Sequence, residues 1–135
     1  LNHVMNYLYL EQQRFGDKLQ VIYRIRTTNF LIPSLTLQPL VENAVQHGVL
    51  NKKNGGTVNI RTDEADGFAV ITVSDNGVGM EQAKQYPAMG EHMHIGIDNV
   101  RSRLKELVDG RLDIVSSSQG TTATIRIPWN GDDDL

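Results

Sequence analysis

Cysteine is absent from the 135 residues, which rules out disulfide frameworks, thiolate zinc sites and cysteine nucleophiles together and permits a reducing compartment. No apolar run approaches the ~18 residues that span a bilayer, and no signal peptide opens the chain. Basic residues number 13 against 16 acidic ones and nowhere form a block, so with a net charge of −3 a nucleic-acid backbone is not an expected partner. The phosphate-binding motif G-x-x-x-x-G-K-[ST], the dinucleotide fingerprint G-x-G-x-x-G and the nucleophile elbow of the hydrolases are all missing. What remains is a chain with 39% hydrophobic residues, enough for one compact domain spanning residues 1–135 and no second core. It starts within a helical pattern and without Met, and so reads as a piece of a longer protein whose other parts could include a membrane anchor.

Residues 1–15 have the spacing of an amphipathic helix, with Leu1, Val4, Met5, Leu8 and Phe15 near one face and Gly16-Asp17 as its stop. Residues 18–25 alternate as a strand. Pro33-Ser34 starts a second helix through residues 37–47, with Ser34 as a possible N-cap. The turn Asn54-Gly55-Gly56 precedes strands at 57–62 and 68–74, joined by a bend at Gly67. From Asp75 to His94 no period is readable, and Gly77, Gly79, Pro87 and Gly90 predict a long mobile segment. A third helix is expected from Gly96, carrying Ile97, Val100, Leu104, Leu107 and Val108, with Gly110 ending it. Strands at 111–116 and 121–127 close the chain. Three helices and five strands, largely consecutive as hairpins, predict an α+β fold: a two-layer sandwich with helices on one face of a mixed, mostly antiparallel sheet.

Helix 37–47 organises the rest. Leu37, Leu40, Val41, Ala44 and Val45 form an apolar arc, and Asn43 and His47, four apart, share its margin. Two readings are open for that pair: an amide and an imidazole facing a ligand, or a loop-bonding Asn and a His at the helix terminus. Asp75 is more informative, because it continues the face of Ala69, Ile71 and Val73 and a carboxylate there is costly without a partner. A recessed carboxylate at a strand end suits the exocyclic amine of adenine and would select ATP over GTP; the competing reading is ordinary turn-capping by Asp-Asn-Gly. Thr121 shares the inner face of the last strand with Ala123, Ile125 and Ile127, and could set a hydroxyl beside the carboxylate. Gly77 and Gly79 permit close backbone approach, and Gly96 at a helix start would offer free N–H groups to phosphate. His92-Met93-His94 lacks a third ligand for a metal. Tyr7, Tyr9 and Tyr23 read as packing residues.

Taken in order, Leu40-Val-Glu-Asn43-Ala-Val-Gln-His47, Asp75-x-Gly77-x-Gly79, Gly96-Ile97 and Gly120-Thr121 resemble the motif series of the Bergerat ATP-binding fold of the GHKL proteins. Leu37-Gln-Pro-Leu-Val-Glu-Asn-Ala-Val-Gln-His-Gly48, Glu11-x-x-Arg14-Phe15-Gly-Asp-Lys-Leu19 and Asn99-Val-Arg-x-Arg-Leu104 are similar in particular to LytS/YehU-type bacterial sensor histidine kinases. The resemblance implies an ATP-binding catalytic domain whose γ-phosphoryl goes to a His on a dimerisation domain outside this sequence. It implies ATP and Mg²⁺ as ligands, with Asn43 coordinating Mg²⁺, His47 near ribose or phosphates, and Asp75 taking the adenine amine. Gly77, Gly79, Gly96 and Ile97 would frame the pocket, Thr121 would join the adenine side, and Arg101 or Arg103 would reach the phosphates. Residues 81–95 would form a lid, and residues 1–16 would lead in from the missing acceptor region. The parent would be a homodimeric kinase of the cell membrane with this domain in the cytoplasm and a response regulator downstream.

The sequence also departs from those motifs. The ATP-hydrolysing relatives place a catalytic Glu four residues before the motif Asn, where this chain has Pro39, so transfer to a side chain is favoured over hydrolysis. Gln46 replaces a Lys common in histidine kinases, and His94 replaces a motif glycine. The acceptor motif with Pro-His-Phe is absent, His3 lies in a different context, and no catalytic residue is assigned. The alternatives are an anti-sigma-factor-type serine kinase and a non-catalytic nucleotide-sensing module.

Overall fold

A computed structural model describes residues 2–27, 36–49, 53–78 and 87–128, the side chains of residues 2, 47, 48 and 87–95 excepted. Leu1, Pro33, Ser34, Gly79 and residues 81–86 lie outside the described residues. The elements are α1 (Asn2–Phe15), β1 (Leu19–Ile25), α2 (Leu37–Glu42) running on as a π-turn (Asn43–Gly48), β2 (Gly56–Ala65), β3 (Phe68–Asp75), α3 (Pro87–Val108), β4 (Arg111–Ser117) and β5 (Gly120–Pro128). The strands form one sheet in the order β1-β2-β3-β5-β4, parallel only between β1 and β2. This is the expected sandwich, with the three described helices on the face that the apolar alternation marks out.

That face is the core. Ile60 of β2, Ile71 of β3 and Ile125 of β5 are fully buried, and onto them pack Leu8 of α1, Val41 and Val45 of the second helix, and Leu104 of α3. Side chains of this size contribute roughly 1.5–3 kcal/mol each when fully buried. The β2–β3 hairpin turns through Asp66 and Gly67, both at positive φ (53° and 81°), the conformation that a two-residue turn matched to strand twist requires.

One element departs from expectation. The third helix starts at Pro87, nine residues before Gly96. Proline is suited to the first helical position, where its ring presets φ and its missing N–H goes unneeded. Gly90 and Gly96 obscure the period in the sequence but are tolerated inside a long helix at roughly 1 kcal/mol each. Gly96 is therefore interior to α3, and the free N–H groups expected of a helix start are not at that position.

Candidate functional site

Strand register assembles the site. Across the inner face Val58, Asp75, Thr121 and Ser116 are successive cross-strand partners, so β2, β3, β5 and β4 each place one residue in a single transverse row. The next row inward is apolar, with Ile60, Val73, Ala123 and Ile114. At Asp75 the core face therefore changes from hydrocarbon to polar groups within one pleat. The sequence places Asp75 and Thr121 on inner faces, and the register sets them directly opposite each other.

The Asp75 carboxylate accepts the Gly77 N–H at 2.9 Å. Burial pushes its pKa up to about 6, against the lowering effect of backbone N–H bonds from Gly77 and Thr121. The Gly77 bond is the turn cap that the sequence also offers, and the half-buried carboxylate combines it with a place at the end of the core face. The Thr121 hydroxyl hydrogen-bonds the Ser116 hydroxyl at 2.8 Å. Ser116, which the sequence reading did not include, thereby joins the candidate row. Its signal was present, since in β4 it falls in phase with Leu112 and Ile114 as Thr121 does with Ala123.

Asn76 is the second residue passed over. Its side-chain oxygen accepts the Thr57 N–H at 2.7 Å, and its own N–H donates to the Thr57 carbonyl at 3.3 Å. It locks the exit of β3 onto the start of β2 and fixes the direction in which Gly77 leaves. At Gly120 the approach is closer still: φ is 137°, and a Cβ would run into the Asp75 carbonyl oxygen. The glycine of the Gly-Thr pair thus lets β5 lie against the carboxylate-bearing strand end.

Above the row lies the second helix. At Asn43 the regular α-helix gives way to a π-turn, whose continuation bonds the Val49 N–H back to Ala44. Such widened turns occur often at functional sites. The Asn43 N–H bonds the Pro39 and Leu40 carbonyls, and its side chain is half-buried. The π-turn packs on β3 and β5, and the Val49 side chain lies 3.6 Å from where a Cβ of Gly56 would be, beside Asn76. Its C-terminal end therefore stands over the end of the sheet that carries Asp75. His47 belongs to this turn.

Other expected participants make contacts of their own. Arg101 donates from Nε to the Leu112 carbonyl at 3.4 Å, tying α3 to the edge strand β4. Ile97 is buried in the core. Gln46 donates to the Tyr7 hydroxyl at 3.1 Å and to Glu11 Oε2 at 3.5 Å, tying the π-turn to α1. Tyr7, expected only to pack, is part of this polar tie, and burial with the carboxylates of Glu11 and Glu42 outweighs the Gln46 bond in raising its pKa.

Among the described residues no helix is long and apolar enough to cross a membrane, and no group of three or more His, Asp or Glu could hold a metal. The family described as histidine kinase-, DNA gyrase B- and HSP90-like ATPases matches residues 32–131. Among curated proteins the chain is 39% identical to the sensor histidine kinase YpdA of Escherichia coli over 95% of its length. It is 33% identical to the sensor protein LytS of Staphylococcus saprophyticus over 96%. It spans only 23% and 24% of those two relatives. Its fold matches the histidine kinase domain of the blue-light-activated kinase of Erythrobacter litoralis, with TM-score 0.70, 19% identity, and coverage of 98% of this chain and 62% of that one. It also matches a mycobacterial sensor histidine kinase, MprB, with TM-score 0.62, 17% identity, and coverage of 94% and 93%. Sequence, register and fold agree that this chain belongs to the family of histidine kinase-, DNA gyrase B- and HSP90-like ATPases.

Proposed function

We propose that this chain is the ATP-binding catalytic domain of a sensor histidine kinase, positioning ATP so that its γ-phosphoryl passes to a His on an acceptor domain outside the present sequence. The observation that carries the reading is the half-buried Asp75 in a transverse row with Thr121 and Ser116, beneath the π-turn of Asn43. An adenine amine donating to Asp75 would add a third donor to a carboxylate whose anion is held by the Gly77 and Thr121 N–H groups and disfavoured by its desolvation. The hydroxyl pair beside it offers a donor and acceptors to the ring edge.

Asn43, at the first position of the π-turn, would be the protein ligand of Mg²⁺. A single carboxamide oxygen without a carboxylate cage suits an ion held mainly by phosphates and water. When bound, Mg²⁺ would neutralise charge on the phosphates. The protein's part is to orient the nucleotide and leave the γ-phosphoryl open to an incoming imidazole. Pro39 supplies no base to activate water, and its carbonyl serves only the turn that begins at Asn43. His47, Gly77, Gly79 and the segment 81–95 would complete the pocket and its lid. Gly96, Ile97 and Arg101 would border the nucleotide from α3. The parent would be a homodimer of the cell membrane that passes the phosphoryl group to a response regulator.

Thermal shift with ATP, ADP and GTP, with and without Mg²⁺, tests the binding step. ATP and ADP should raise the melting temperature, ATP more with Mg²⁺, and GTP should not; equal shifts with GTP would overturn the role of Asp75.

A further inference from the structure

The face of the sheet turned away from the helices has a composition of its own. Alternation places Arg24 of β1, Arg61 of β2, Arg126 of β5 and Arg111 of β4 there, with Arg26 just beyond β1. These are five of the chain's eight arginines, and the strands contain no lysine at all. The register aligns them in like-charged pairs: Arg24 is the direct partner of Arg61, and Arg111 of Arg126. Like charges directly opposite one another destabilise a sheet.

Local carboxylates offset this only in part. Asp63 bridges Arg26 and Arg61, at 3.4 Å to each, and Asp113 pairs with Arg126 at 3.0 Å. Two aspartates thus pair with three of the five arginines, Arg26, Arg61 and Arg126, and leave Arg24 and Arg111 without an ion pair among the described residues, in a chain whose net charge is −3. Arg24 and Arg111, on the two edge strands of this face, are exposed, and no described element covers them. On the same face Ile22 and Val115, the two ends of one transverse row, are 45% and 72% exposed.

We infer that this open face is a docking surface for an acidic protein partner, whose carboxylates pair with Arg24, Arg61, Arg111 and Arg126 and whose apolar side chains cover Ile22 and Val115. Arginine in place of lysine fits carboxylate recognition, because its planar fork pairs bidentately and is readily desolvated. Exposed aliphatic groups beside arginines are characteristic of protein interfaces. Asp63 and Asp113, set among the arginines, can accept N–H and O–H donors from a protein, which the phosphates of a nucleic acid or an anionic membrane do not supply. The inference does not depend on nucleotide binding, which the proposed function assigns to the other face.

The test uses the whole chain, labelled with ¹⁵N, titrated at low salt with poly-L-glutamate as probe. Amide shifts should concentrate on β1, β4 and β5, and Arg24→Glu/Arg111→Glu should weaken binding at least tenfold while the ATP-induced thermal shift stays unchanged. Shifts confined to other surfaces, or binding indifferent to the charge reversal, would overturn the proposal. Tighter binding of a DNA duplex or of phosphatidylglycerol vesicles at equal charge concentration would overturn it in favour of those partners. The milder Arg24→Gln and Arg111→Gln variants should melt at or above the wild-type temperature, since each relieves a like-charge pair. A clear fall in melting temperature would show that these arginines serve the fold instead.

Discussion

Asp75 makes the folded chain less stable than it could be. Its pKa is raised from 3.8 to about 6 by burial, so the folded state binds its proton more tightly than the unfolded state does. The stability this group contributes is full below pH 3.8 and is lost as pH rises through 6. Above that, the buried anion costs on the order of 3 kcal/mol, comparable to what one core side chain such as Ile71 contributes. Asp75→Asn keeps an oxygen for the N–H groups of Gly77 and Thr121 and removes the charge. Urea unfolding should show it about 1–3 kcal/mol more stable than wild type at pH 7.5 and no more stable at pH 4. ATP affinity should fall at least tenfold in the same variant, and calorimetry of the wild type near pH 6, in buffers of differing ionisation enthalpy, should reveal proton release that the variant lacks. Equal stability at both pH values would mean that the carboxylate is solvated and the site has been misread.

At the scale of elements, the contact between β3 and β5 is set by Gly120, whose φ of 137° and closeness to the Asp75 carbonyl exclude a side chain. Gly120→Ala should cost roughly 2–4 kcal/mol through backbone strain and collision. It should also remove nucleotide binding where the domain still folds, as thermal melts with and without ATP would show. Ser116→Ala is a milder probe: it leaves the Thr121 hydroxyl without its 2.8 Å partner, costs about 1 kcal/mol and should weaken ATP several-fold. The strands and the Asp75–Thr121 juxtaposition were legible in the sequence because period-two alternation reports faces directly. Ser116 was equally in phase but looked like any polar residue of an edge strand. The start of α3 was not legible, since its glycines break the helical pattern and Pro87 reads as a loop residue until a helix is seen to follow it. The π-turn at Asn43 was hidden for another reason: the apolar positions Val41, Val45 and Val49 keep a spacing of four whether the turn is regular or widened. The backbone bond from Val49 to Ala44, which no side-chain pattern records, distinguishes the two.

For the molecule as a whole, the site lies at one end of the inner face, α1 lies against the motif helix, and the chain spans about a quarter of the sensor-kinase relatives it resembles. Leu8 of α1 is fully buried and Gln46 bonds Tyr7, so α1 is an integral layer of this domain and not a loose lead-in. Any movement of α1 would therefore reach the π-turn three residues from Asn43. With Pro39 offering no base for water and no acceptor motif in the chain, purified protein should bind ATP and neither hydrolyse it appreciably nor label itself. Supplying the acceptor domain of the parent together with labelled ATP should transfer label in an acid-labile, base-stable form, the signature of phosphohistidine. Acid-stable label would assign transfer to a hydroxyl, and rapid phosphate release without any acceptor would mean that water is activated by a group other than the one Pro39 displaces. Gln46→Lys completes the test. If the amide serves the tie to α1, the lysine should weaken coupling between acceptor and nucleotide while leaving ATP affinity within about twofold, under half a kcal/mol; a large gain in ATP affinity would instead return position 46 to the phosphates.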